Sequence, residues 1–146
     1  MTKALKRSYF SLLIPAVLAL ALLAGVESFD LLPHIPTYPS GPLGFLAPFV
    51  FVLAVFFAVG LPVFFRALFA HRMRERNTVA ESDWLTFERT LIRISLVTPY
   101  LILPAYLFEF PRFYLAGTAL TALYAVYYFY PSRRRIRFER RMFRVG

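Results

Sequence analysis

Two uncharged apolar runs, residues 8–26 and 43–65, limit what this chain can become more than any other feature. At ~1.5 Å of rise per residue they make helices of about 28 and 34 Å, which bracket a hydrocarbon layer roughly 30 Å thick. In hydrocarbon the backbone must satisfy its own polar groups, and an uninterrupted run of this length does so as a helix. The composition agrees. Hydrophobic residues are 59% and aromatics 18% of the 146 residues, well above the roughly 45–50% apolar content of soluble domains.

The second half is less regular. The uncharged stretch 94–108 gives only about 22 Å of helix, so Arg93 is expected at the hydrocarbon edge or just inside it. Pro99 and Pro104 remove two backbone donors, and the carbonyls they leave call for Ser95, Thr98, water or a neighbouring helix. Glu109-Phe110-Pro111-Arg112 is too short for anything but a tight turn, which makes the following run, 113–130, an antiparallel neighbour. In that run Gly117, Thr121 and Ala125 recur every four residues as a small-residue face suited to close helix contact. Tyr124, Tyr127, Tyr128 and Tyr130 crowd its end like an interfacial aromatic belt.

The expected fold is therefore an all-α integral membrane protein. It forms a single domain over 1–146, with four transmembrane helices arranged as two antiparallel hairpins. The spans are about 8–26, 43–65, 91–108 and 113–130. The first is read as a retained span, because the Ala19-Leu20-Ala21 cleavage-like pattern lies inside the apolar run. Pro48 and Pro62 flank the second span, so kinks are expected at its edges. The connection 66–90 is the one long polar break, and a basic tail fills 131–146.

Charge orients this arrangement. Of 17 basic residues, three lie before the first run, six between Arg66 and Arg93 and seven between Arg133 and Arg144, leaving Arg112 alone on the other side. Short cytoplasmic loops retain basic residues, so both termini and the central connection are expected in the cytoplasm, and the membrane is a plasma or inner membrane. Within the connection, Thr78-Val79-Ala80-Glu81 has the form of a capping box. Glu81 and Asp83 then fall in a first helical turn, where negative charge complements the dipole. Trp84, Phe87, Leu91 and Ile94 form an apolar stripe, which reads as an interfacial helix leading into the third span. The 27–42 segment on the opposite side, with Pro33, Pro36, Pro39 and Pro42 at three-residue spacing, favours extended backbone over helix.

Chemistry is sparse. There is no cysteine, which removes disulfides, thiolate catalysis and cysteine-ligated metals. No nucleophile elbow, phosphate loop, HExxH or paired-carboxylate spacing is present, so no catalytic residue, cofactor or metal site is assigned. Glu27, Asp30 and His34 are ligand types at helical spacing, but Pro33 interrupts the helix that would align them. His34 and His71 lie on opposite faces of the membrane and cannot share one haem in a monomer.

The basic clusters remain. Arg89 and Arg93, one turn apart, reach headgroups or a partner, and so do Arg133, Arg134, Arg135, Arg137, Arg140, Arg141 and Arg144 of the tail. The tail's apolar residues Ile136, Phe138, Met142 and Phe143 do not share one helical face, and the tail is too irregular to read bases, so RNA is not the expected partner. Phe87-Glu88-Arg89 with Arg93 is echoed by Phe138-Glu139-Arg140 with Arg144. A duplicated hairpin would put the copy near Ser8, so the echo carries no architecture. The expected function is a non-enzymatic accessory or scaffold subunit, contacting anionic lipid headgroups and other membrane subunits or copies of itself. The alternative is a small oligomeric transporter or channel, with Arg93, Pro99, Pro104 and Glu109 lining its route through the proline-interrupted third helix.

Overall fold

A computed structural model describes residues 2–28, 44–74 and 79–145. Asp30, His34, Tyr38, Thr78 and the prolines at 33, 36, 39 and 42 lie outside them, as does the side chain of Glu27. The described chain is helical: α1 (Thr2–Ser28), α2 (Leu46–Val55), α3 (Leu61–Arg72), α4 (Glu81–Ser95), α5 (Ile102–Leu107), α6 (Arg112–Tyr128) and α7 (Arg133–Met142).

Several of these join end to end. A π turn at Phe56–Gly60 links α2 to α3, and a 3-10 turn at Thr98–Leu101 links α4 to α5. Three helical lines, Lys3–Val26, Leu46–Arg72 and Glu81–Leu107, are thus long and apolar enough to cross a membrane. The fourth expected span, α6, has 17 residues, about 26 Å at the same rise.

Prolines set the irregular turns. Pro62 has no N–H to offer Ala58, and the Leu61 N–H instead reaches back five residues to the Phe56 carbonyl. The wider turn absorbs the missing bond. The expectation of straight middle turns in this span is corrected: the disturbance from Pro62 runs backward into 56–60. In the third line, Pro99 sits at the start of the 3-10 turn. Of the expected donors to the orphaned carbonyls, which were Ser95, Thr98, water or a neighbouring helix, the Ser95 and Thr98 hydroxyls are fully buried without a protein partner among the described residues.

Packing order differs from chain order. α1 lies against α4 and the 3-10 turn, while α2 lies against α6, and among the described residues α1 and α2 are not a closely packed pair. Hydroxyl bonds fix the first of these pairs: Tyr100 Oη donates to the Leu12 carbonyl at 2.6 Å. α5 and α6 are the antiparallel neighbours that the tight turn demands. Glu109 takes a left-handed φ of 47° there, with Phe110 N–H bonded to Ala105 O and Glu109 N–H to Tyr106 O. These are the two bonds of a Schellman motif.

The segment read as an interfacial helix, α4, runs end to end into the rest of the third line. Its N-cap is Ala80, with no side-chain cap. Glu81 therefore opens the helix and cannot be the third residue of a capping box. Glu81 and Asp83 do occupy its first turn. Its face of Trp84, Phe87, Glu88, Leu91, Ile92 and Ser95 is buried in the bundle.

Leu5, Tyr9, Val79, Trp84, Ile92, Leu96 and Ile136 form the largest apolar cluster. It gathers the start of α1, the entry to α4 and the tail helix α7 at one end of the molecule. This basic end also carries Val145 and the residues that flank the α3–α4 connection, Met73 and Val79. A smaller cluster of Ala47, Val50, Ala105 and Phe110 fills the far end.

Candidate functional site

The tail is a helix because Ser132 caps it. Its side chain accepts the Arg135 N–H at 3.2 Å, satisfying one of the unpaired donors of the first turn. Six of the ten residues of α7 are Arg, yet one face turns inward. Ile136 and Glu139 are buried, and Phe143 packs edge-on against Phe69, which itself stacks on Phe87 at 4.1 Å. Phe138 and Met142 point the other way, 66% and 53% exposed, as expected of apolar residues that do not share a face.

Glu139 is the pivot. Its Oε1 accepts from Arg66 Nη2 at 2.7 Å and from Arg135 Nε at 2.9 Å. Arg135 also donates from Nη2 to Glu88 Oε2 at 3.4 Å and from Nη1 to the Tyr128 carbonyl at 2.6 Å. Arg66 reaches the Tyr128 hydroxyl at 3.0 Å, and both guanidiniums lie about 5.5 Å from the Tyr128 ring. The unit thus joins α3, α4, the end of α6 and α7.

Burial pushes the Glu139 carboxyl up. The neighbouring Glu88 carboxyl and the charges of Arg135 and Arg66 outweigh that effect and hold it below the ordinary glutamate range. Glu88 Oε1 and Glu139 Oε2 are buried with no hydrogen-bond partner among the described residues. The echo of Phe87-Glu88 in Phe138-Glu139 is thus a meeting in space.

The same contacts finish α6. Its last four carbonyls would otherwise lack donors. Ala125 O receives the Phe129 N–H, Val126 O the Tyr9 hydroxyl, Tyr127 O the Tyr130 N–H and Tyr128 O the Arg135 guanidinium. The four tyrosines of the expected belt are exposed at this end, and Tyr124 stacks on Tyr128.

Each residue singled out from the sequence can now be placed. Arg89 and Arg93 lie on the exposed side of α4, away from Trp84. Arg133, Arg134, Arg137, Arg141 and Arg144 are exposed, and Arg140 approaches Glu81 at 4.0 Å. Arg135 alone turns inward and is used up by the cluster. Gly117 faces α2, where an added Cβ would lie 2.6 Å from the Phe51 ring. Thr121 bonds back to the Gly117 carbonyl and Ala125 is fully buried. The centre of the buried stripe, however, is Thr118, Ala122 and Ala125.

Arg93 and Glu109 are exposed and Pro99 is buried. Pro104 borders an apolar groove of about 590 Å³ against Leu22, Leu23 and Val26. Among the described residues no group of His, Asp and Glu could hold a metal ion.

Arg66, Glu88, Tyr128 and Glu139 were missed. Two signals pointed to them: Glu139 is the only acid in an arginine tail, and Arg135 stands four residues before it at ion-pair spacing. No family model matches the chain, nor does any curated protein or solved structure compared with it.

Proposed function

We propose that this chain is a non-enzymatic accessory or scaffold subunit of a membrane protein complex. In this reading α6 is the fourth span, both termini lie in the cytoplasm, and the host is a plasma or inner membrane. One observation carries the reading. Glu88 and Glu139 absorb Arg66 and Arg135 and clamp α7 to the bundle, so Arg133, Arg134, Arg137 and Arg141 are held outward as a fixed cationic face. Basic residues near an anionic surface contribute about 1 kcal/mol each, so four arginines on a rigid helix form an effective docking face for headgroups or an acidic partner.

Purification from native membranes tests this. Replacing Arg133, Arg134, Arg137 and Arg141 by Gln should release a co-purifying cytoplasmic partner while thermal stability stays unchanged. An unaltered set of partners would refute the docking role. Cysteine labelling tests the orientation, since the chain has no native thiol. Cysteines at positions 74 and 112 should be protected by opposite sides of the membrane.

The transport alternative keeps one supporting observation. The Ser95, Thr98 and Thr118 hydroxyls are fully buried without protein partners among the described residues, and polar groups at such depth can serve a solute route. Reconstitution with a flux assay separates this reading from the first.

A further inference from the structure

One face of α3 has the pattern of an amphiphile. Val63, Ala67 and Ala70 follow one another at spacings of four and three and share one face of the helix, and Arg74 stands in the turn just past its end. Val63 is 61% exposed, and the two alanines leave the strip shallow. Beside it lies a groove of about 580 Å³, whose lining includes Ala67, Ala70, Met142, Arg66, Arg74 and Arg144.

The three cations reach the groove from separate elements. Arg66 already shares its charge with Glu139. Arg74 and Arg144 are exposed, and among the described residues neither has an ion-pair partner. Arg144 is held in place by its backbone. It takes a left-handed φ of 50° as α7 ends, fixed by Val145 N–H to Arg140 O and by Val79 N–H to Arg144 O. A side chain rarely adopts that conformation unless its surroundings enforce it.

We propose that this groove binds an anionic phospholipid, with the phosphodiester between Arg74 and Arg144 and an acyl chain along Ala70, Ala67 and Val63. The guanidinium fork matches phosphate oxygens, and the apolar strip gives a chain somewhere to lie that a free anion would not use. A zwitterionic headgroup would bring its own cation into the same positive field, so the site discriminates by charge. The proposal rests on the membrane orientation given above, but it uses a different surface from the outward face of α7.

The test uses the full chain purified in neutral detergent, titrated with phosphatidylglycerol or phosphatidylcholine and followed by native mass spectrometry and thermal unfolding. Phosphatidylglycerol should be retained and raise the melting temperature more than phosphatidylcholine. Arg74→Gln with Arg144→Gln should weaken its retention roughly thirtyfold, for the loss of two surface cations. Arg134→Gln with Arg137→Gln, on the outward face, should leave it unchanged. Equal retention of the two lipids, equal loss in both double variants, or displacement by millimolar inorganic phosphate would each overturn the proposal. Loss of the lipid preference with the protein partner still bound fails this proposal alone, and the converse fails only the docking role.

Discussion

The two ends of the bundle are built on different principles. At the basic end, Trp84, Tyr9, Leu5 and Ile136 pack into a dense core, and beside it two arginines and two glutamates close a polar unit. At the far end, the fully buried residues are alanines, Ala47 and Ala105, and contact depends on small side chains letting α2, α5 and α6 approach. Of the large residues there, Phe110 is buried, while Phe45, Phe49 and Phe113 face outward. A membrane protein surrounded by hydrocarbon gains little by burying apolar bulk, so its far end relies on close backbone contact. Where water reaches the chain, bulk burial and paired charge take over.

The largest expected effect tests that contrast directly. Trp84→Ala empties the centre of the basic-end core and should lower stability in detergent by about 3–5 kcal/mol. Val50→Ala removes two methyl groups at the far end and should cost about 2 kcal/mol. Equal losses in denaturant titrations would erase the distinction.

Next is the carboxyl pair. Glu139→Gln strips Arg66 and Arg135 of their shared anion and should cost about 2–3 kcal/mol. Glu88→Gln keeps an oxygen to accept from Arg135 and should cost under about 1 kcal/mol. The pH dependence follows from the lowered Glu139. A carboxyl whose folded value lies below its unfolded one adds stability above the unfolded value, and that stability is lost as pH falls through the folded one. The gap between wild type and Glu139→Gln should therefore be full above the ordinary glutamate value of about 4.3 and close at lower pH. A constant gap in thermal unfolding across that range would show that Glu139 acts by packing alone.

Gly117→Leu sharpens the far-end account. It drives a side chain into Phe51 and should cost about 1–3 kcal/mol. Ala119→Leu lies off that contact and should cost less. The smallest effect belongs to Arg93→Lys. Arg93 stands on the exposed side of α4, so a second long cation should keep thermal stability within about 0.5 kcal/mol. A larger drop would mean that its guanidinium fork grips a carboxylate or phosphate.

Local rules were enough for much of this architecture. Apolar run length determined that the chain is helical and suited to a membrane, because hydrocarbon forces every backbone group to find a partner within its own segment. The Glu109–Arg112 link determined that α5 and α6 are neighbours. The Gly117 stripe marked a contact face, displaced by one residue from its buried centre. Only the tertiary structure decided which helices pair. Whether α1 meets α2 or α4 depends on complementary surfaces distant in sequence, such as Gly117 against Phe51 and Tyr100 against the Leu12 carbonyl. The role of the tail was decided there too. Charge counting treats seven arginines alike, whereas a buried carboxylate selects Arg135 by geometry and leaves its neighbours outside. Glu88 and Glu139 lie 51 positions apart in the chain, and only folding could bring both carboxyls onto Arg135.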